Sequence, residues 1–309
     1  MNATPDLTAY DSCTLCPRRC KAKRTEGHRG ICGCTAQPHV ARAALHFWEE
    51  PPISGERGSG TIFFSGCPLR CVYCQNHRIS HEGFGVEVST ERLATMMLEL
   101  QEQQALNINL VTALHFAPHV ITAVKSARAQ GLHIPIVCNT SGYETSELVD
   151  ALDGIVDVWL TDFKYYSPTL AQSLSAARDY PHVATQALQH MVASLARHGG
   201  RQINDDEAMQ RGIIVRHLVL PGHVDDSLAV VDHLWNTVGN AVDLSVMNQY
   251  TPNERCRSMG GSLSRGITDE EYDLVVLHAD EVGFDHLWWQ EGGTVSESFV
   301  PEFDATGVQ

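Results

Sequence analysis

The chain is short of several things. It has no apolar run as long as a membrane span; the stretch GIIVRHLVLPG is brief and carries Arg216 in its middle, so no membrane partner is expected. Basic residues are scarce: 22 Lys+Arg stand against 37 Asp+Glu, a formal charge of −15. Bulk charge of that sign argues against nucleic acid as a partner, because phosphate contacts need Lys and Arg. The opening MNATPDLTAYDSC has neither a basic start nor an apolar core of the secretory kind, and a cytoplasmic location is expected. No repeat or low-complexity tract is present. The remaining composition, 43% hydrophobic and 19% charged, is that of a folded globular protein. Cysteine, by contrast, is plentiful. Eight of the 10 cysteines lie within the first 74 residues, and Cys138 and Cys256 stand apart. In a reducing compartment, clustered thiols read as metal or cluster ligands before disulfides.

Residues 1–59 form a Cys-, Arg- and Pro-rich stretch read as irregular, a metal-binding module and lead-in. Beyond it, strand-like and helix-like segments alternate. Strands are expected at 61–66, 107–112, 134–138, 157–162, 213–220 and 244–249. Helices are expected at 89–104, with Ser89 or Thr90 as cap, at 118–131, and at 268–283, opened by a Thr268–Glu271 capping box. The alternation predicts βαβ units and a parallel sheet, as a partial barrel or a doubly wound sheet, filling a core domain over 60–290 before a tail at 291–309. Thr112, Asn139, Thr140, Asp162, Lys164, Gln249 and Tyr250 recur at strand C-terminal ends, where parallel α/β folds bind ligands.

The sharpest feature follows the first of these strands: Cys67-x3-Cys71-x2-Cys74 in GCPLRCVYCQNHRIS. Three thiolates on one short loop can hold three corners of a [4Fe–4S] cube and leave the fourth iron open to a small molecule. The alternative is a zinc site with His77 as fourth ligand. Cys13-x2-Cys16-x3-Cys20, with Cys32 and Cys34, forms a second constellation, sufficient for structural zinc or a second cluster. Arg18, Arg19, Lys21, Lys23 and Arg24 make this stretch locally basic. They read as a solvated face offsetting thiolate charge, or as a docking surface for an acidic partner.

The triplet, with Tyr73 before its last cysteine, resembles the signature of the radical S-adenosylmethionine (radical SAM) superfamily. WEEPPISG, GSGTIFFSGCPLRCVYCQN, NINLVT, NTSGYE, LTDFKYY, RHLVLPG and MNQYTP, in this order, resemble PflX-type proteins, relatives of pyruvate formate-lyase activating enzyme. The resemblance covers about residues 13–290. It implies a partial (β/α)6 TIM-like barrel, a [4Fe–4S] cluster on Cys67, Cys71 and Cys74, and SAM on the open iron. It implies an oxidoreductase that cleaves SAM to a 5′-deoxyadenosyl radical and abstracts hydrogen from a substrate, and an electron donor such as flavodoxin or ferredoxin. Activating enzymes act on a partner protein, the first substrate class implied here; a peptide or small molecule stays open. Tyr73 is implied at the adenine, Asn139, Thr140 and Ser141 near the ribose and carboxylate, and Asp162 and Lys164 as an Asp-x-Lys pair. Arg216 is assigned to SAM by charge, and Gln249 and Tyr250 to the border of adenine or substrate. Where activating enzymes carry Gly-Gly-Glu, this chain has Val111-Thr112-Ala113-Leu114-His115, so Thr112 or nearby carbonyls stand in for that contact, with His115 a further polar group. Gly30-x-Cys32 matches the family pattern, which makes Cys13, Cys16, Cys20 and Cys32 the second ligand set and Cys34 the spare. The rival reading is a non-enzymatic Fe–S or zinc protein, an electron carrier or redox-sensing regulator. A carrier needs no polar pocket at the strand ends.

Overall fold

The computed structural model describes residues 4–290 and 300–309. Ten strands form one sheet: β1 His39–His46, β2 Ser59–Phe64, β3 Val86–Glu87, β4 Ile108–Val111, β5 Ile136–Thr140, β6 Val158–Asp162, β7 Gln202–Ile203, β8 Met209–Leu218, β9 Asp243–Met247 and β10 Leu287–Trp288. Along the sheet the order is β10-β9-β8-β6-β5-β4-β2-β1-β3, with β7 hairpinned onto β8. From β2 to β10 every pairing on this path is parallel. Among the described residues the sheet does not close. The six expected strands are β2, β4, β5, β6, β8 and β9, which makes the architecture the expected open α/β one.

The parallel strands are legible as apolar runs because both their faces are covered; every residue of β2, β4 and β5 is buried. Side chains alternate between the two faces. Ile136, Cys138, Trp159, Ile213 and Val215 join the large core beneath the helices, with Leu93, Met97, Val120, Val124, Leu188 and Val231. The helices are short pieces at Pro51–Ser54 and His77–Ser80, then Thr90–Glu102, Ala117–Ala129, Ser146–Ala151, Pro168–Ser175, Tyr180–Arg197, Val224–Val238, Glu254–Met259 and Asp269–Val282. Ser89 caps the first long helix by accepting from the Arg92 amide, and Thr268 and Glu271 form both bonds of a capping box.

The other face is not open to solvent. Val137, Val158, Leu160 and Ile214 pack there with Met209 and Ile53. Ile53 belongs to the segment 47–54 between β1 and β2, which crosses this face: Asn107 Nδ2 donates to the Ile53 carbonyl (2.8 Å) and Asn109 Nδ2 to Glu49 Oε1 (3.0 Å). The first 59 residues are therefore less irregular than expected. They contribute the antiparallel strand β1, paired with β2, and a plug that floors the site. The tail expected at 291–309 is described from Val300 on. Its backbone bonds to β1 at Ala41 and Ala43, and Phe303 packs on Ala41, Phe63, Ile79 and Val111.

Candidate active site

Above the plug, at the C-terminal ends of the parallel strands, lies a cavity of about 440 Å³, within the usual range for a small-molecule site. Its wall includes Cys67, Cys71, Tyr73 and Cys74 from the loop after β2, and Thr112 after β4. Asn139, Thr140 and Ser141 come from β5 and its end, and Asp162 and Lys164 from β6. Arg216 comes from β8, and Ser245 and Gln249 from β9 and beyond. Twelve of the residues expected at the cluster and SAM therefore share one cavity. Phe47, Trp48 and Trp289 line it too, each about half exposed.

The floor is a layer of charge. Arg216 donates from Nε to Asp162 Oδ1 (3.1 Å), from Nη1 to Glu49 Oε2 (3.1 Å) and from Nη2 to Asn139 Oδ1 (2.6 Å). Lys164 Nζ reaches Asp162 Oδ2 at 2.5 Å, so the Asp-x-Lys residues do form an ion pair. Register explains the convergence, because Asp162 pairs with Arg216 and Arg216 with Ser245 across neighbouring strands. Burial opposes charge on Asp162, yet Lys164 and Arg216 outweigh it and hold its carboxyl below the usual carboxylate range. Lys164 is likewise raised to about 12, Asp162 overcoming the effect of burial. Burial raises Glu49 and Glu50 despite the nearby guanidinium. These two glutamates were not singled out from sequence. An arginine amid apolar strand residues demands an acid, but nothing in the chain order points to Glu49, 167 residues upstream.

Other expectations resolve differently. Tyr73 lines the cavity but is nearly buried, its ring packed near Tyr165 and Tyr250 and its hydroxyl 2.7 Å from that of Tyr165. Tyr250 does not line the cavity; its hydroxyl donates to the Leu263 carbonyl. Thr112 sits in left-handed backbone, φ 55°, with its amide on the Asn139 carbonyl. His115 lies outside the cavity wall, buried, with Nε2 2.9 Å from the Ser65 carbonyl and 3.6 Å from Cys34 Sγ. His77, the fourth ligand of the zinc alternative, is half exposed against Glu82 and lies off the cavity wall.

In the N-terminal segment Cys13, Cys32 and Cys34 are buried, and Cys16 and Cys20 partly so. Gly30 lies against the sulfurs of both Cys20 and Cys32. Among the described residues, no three His, Cys, Asp or Glu side chains converge as ligands of a single metal ion. The segment's basic residues are not all a solvated face. Arg24 is buried, its guanidinium donating to the carbonyls of Thr35 (2.7 Å) and His115 (2.7 Å) and stacked over Tyr10. Arg18 bridges four backbone carbonyls. Lys23 pairs with Glu26 at the surface. Cys138 is fully buried on β5, where it packs as a small hydrophobe.

Residues 61–233, more than half of the chain, match the radical SAM superfamily. The chain belongs to the radical SAM superfamily. It is 28% identical over 286 residues to an uncharacterized protein of Methanocaldococcus jannaschii, MJ0674, across 90% of this chain and 77% of that one. Among solved structures it is similar to Streptococcus suis SuiB bound to S-adenosylmethionine, with a TM-score of 0.49 and 11% identity over 76% of this chain and 50% of SuiB. It is similar also to SuiB bound to its precursor peptide SuiA, with a TM-score of 0.48 and 11% identity over 75% and 48%. The chain spans about half the length of those structures. No described helix is long and apolar enough to cross a membrane.

Membership makes the chain a radical SAM enzyme and implies a [4Fe–4S] cluster and SAM. The residues present fit the cluster. Cys67, Cys71 and Cys74 share one loop at the cavity, three thiols placed together with space beside them. Burial, then the neighbouring sulfur of Cys71, pushes the Cys67 thiol to about 12 and the Cys74 thiol to about 11. That is the cost of crowding thiolates in a buried place, and bound iron removes it. Gly66, φ 83°, precedes the triplet; any side chain there would collide with Cys34 Sγ and the Cys32 carbonyl. The same close approach lets the Cys67 amide donate to the Cys32 carbonyl at 3.2 Å.

Proposed function

We propose that the chain acts like the glycyl-radical activating enzymes, taking hydrogen from a carbon of a partner protein, with Cys67, Cys71 and Cys74 as cluster ligands. When bound, the cluster supplies the electron for reductive cleavage of SAM; flavodoxin or ferredoxin is the class of donor. Tyr73, Thr112, Asn139, Thr140, Ser141, Asp162, Lys164, Arg216 and Gln249 hold SAM, residues 60–290 forming the core domain and 291–309 its tail. The observation that carries this reading is that these nine residues and the three cysteines line one cavity. The charged floor sets the polarity of the site. Half-exposed Phe47, Trp48 and Trp289 suit a polypeptide at the mouth, since aromatics favour protein interfaces. Residues 1–59 form the second module, with Cys13, Cys16, Cys20 and Cys32 holding zinc or a second cluster. Arg24, buried and without a carboxylate partner among the described residues, supports thiolates there: Cys13 Sγ lies 3.7 Å from its Nη1.

The test is anaerobic reconstitution with iron and sulfide, followed by reductant and SAM. 5′-Deoxyadenosine and methionine are expected from the wild type and none from Cys71→Ala. Cluster-loaded wild-type protein that yields no deoxyadenosine, even slowly, overturns the reading. Zinc and iron analysis of the same preparations decides the N-terminal centre.

A further inference from the structure

Cysteine Cys71 is the most enclosed of the triplet, and its sulfur has a built neighbour. The Ser175 hydroxyl donates to Cys71 Sγ at 3.0 Å, and Ser175 is itself buried. Ser175 ends the helix Pro168–Ser175. Tyr165 Oη, also buried, lies 2.7 Å from Ser175 Oγ. Ser175 thus has one proton and two claimants. A metal-bound thiolate, being charged and proton-free, is the stronger acceptor. Tyr165 Oη lies 2.7 Å from the Tyr73 hydroxyl as well, so Tyr165 donates to Ser175 when Tyr73 donates to Tyr165. Ser80 Oγ, 3.2 Å from Cys74 Sγ, is a weaker case because His81 Nδ1 lies closer, at 2.8 Å.

The helix end that carries Ser175 is held in place from outside. A helix leaves its last carbonyls unpaired, and here the Arg18 guanidinium takes two: Nη2 donates to the Ser175 carbonyl (2.7 Å) and Nη1 to that of Ala176 (2.5 Å). The same guanidinium donates from Nε to the Pro68 carbonyl (2.9 Å) and from Nη2 to that of Leu69 (3.3 Å), both within the cysteine loop. A further bond, from the Val72 amide to the Leu174 carbonyl (2.8 Å), closes the same joint. Arg18 therefore pins the serine and the cysteine loop to each other through four backbone acceptors in one planar fork, which a lysine cannot do.

We propose that Ser175 tunes the cluster through its hydrogen bond to Cys71, and that Arg18 is the positioning residue that keeps it there. The inference rests on the radical SAM reading. A hydrogen bond to a ligand sulfur stabilises the more negative, reduced cluster and raises its reduction potential. The N-terminal cysteine segment thereby acts on the site through an arginine rather than through a metal.

The test is a redox titration of the full chain, anaerobically reconstituted, with the midpoint followed by electron paramagnetic resonance and the iron content matched between variants. Ser175→Ala is expected to shift the midpoint to a more negative value, and Ser175→Thr, which keeps the hydroxyl, to restore it. Ser175→Ala with Tyr165→Phe, which removes both hydroxyls of this pair, is expected to give the largest shift. Arg18→Lys is expected to give a smaller shift of the same sign. Equal midpoints across loaded variants overturn the tuning and leave the radical SAM reading standing. A wild-type chain that takes up no cluster at all overturns both.

Discussion

Two arginines turned inward in this acidic chain are handled in opposite ways. Arg216, largely buried at the floor of the cavity, is matched by carboxylates: Asp162 and Glu49 each bond it, and Lys164 shares Asp162. Arg24, fully buried in the N-terminal segment, has no carboxylate among the described residues. Its guanidinium is held by the carbonyls of Thr35 and His115, by the rings of Tyr10 and Phe116, and by the sulfur of Cys13. The first arrangement fixes a set of charges in the floor of the cavity. The second uses a cation as a bolt, joining the cysteine segment to the loop after β4 at His115. The difference separates a layer facing an open cavity from one packed between two segments.

The largest effect is expected at the floor. Arg216→Ala leaves the largely buried Glu49 without its cation and Asp162 with Lys164 alone; breaking a buried pair by removing one partner costs about 3–5 kcal/mol, and the partial exposure of these groups puts the loss at the low end, about 3 kcal/mol. Urea denaturation is expected to show a loss of that order, with SAM binding lost as well. If SAM binding falls while the denaturation midpoint stays where it was, the carboxylates do not depend on Arg216 and the contrast with Arg24 breaks.

What sequence could and could not show follows from the same contrast. Six of the seven parallel strands were legible because burial on both faces leaves an apolar run, as in SGTIFF and INLV, whereas β10 is two residues long. The cysteine triplet was legible because its ligands share one short loop. Strand β1 was not: HVARAALH puts Arg42 on an antiparallel strand beside the tail, where it pairs with Asp304, and so lacks a clean alternation. Nor was the plug, because Glu49 and Ile53 owe their places to contacts with β4, β5, β6 and β8, far away in the chain. The basic run at 18–24 looked like a surface, since local composition cannot tell which arginines turn inward toward carbonyls.

A smaller effect is expected at the bolt. Arg24→Met keeps much of the side-chain volume but leaves the Thr35 and His115 carbonyls without their donor, a cost of about 2–3 kcal/mol. Hydrogen exchange is expected to rise first at the amides bonded inside the segment, such as Cys13, Lys21 and Ala36, while those of β5 and β6 stay protected. Exchange that rises uniformly across the sheet would mean that Arg24 supports the whole fold, as Arg216 does, and the distinction would fail.

The smallest effect turns on His115, which shares the bolt. Burial, with the charge of Arg24 second, lowers its pKa to about 3 against an ordinary 6.5. Unfolded chains therefore take up a proton at this residue that the folded chain refuses. The contribution is present in full above pH 6.5 and is lost as pH falls from there toward 3, at about 1.4 kcal/mol for each pH unit. In His115→Gln that one proton is absent from both states. Comparing the two proteins cancels the remaining titrating groups. Between pH 7 and pH 5.5 the wild type is expected to lose about 1 kcal/mol more than the variant, measured as the difference in urea unfolding free energy. Equal slopes would mean that His115 protonates within the fold, and the carbonyl it lends to Arg24 would then sit beside a second positive charge with no carboxylate to offset either, which the bolt as built could not hold.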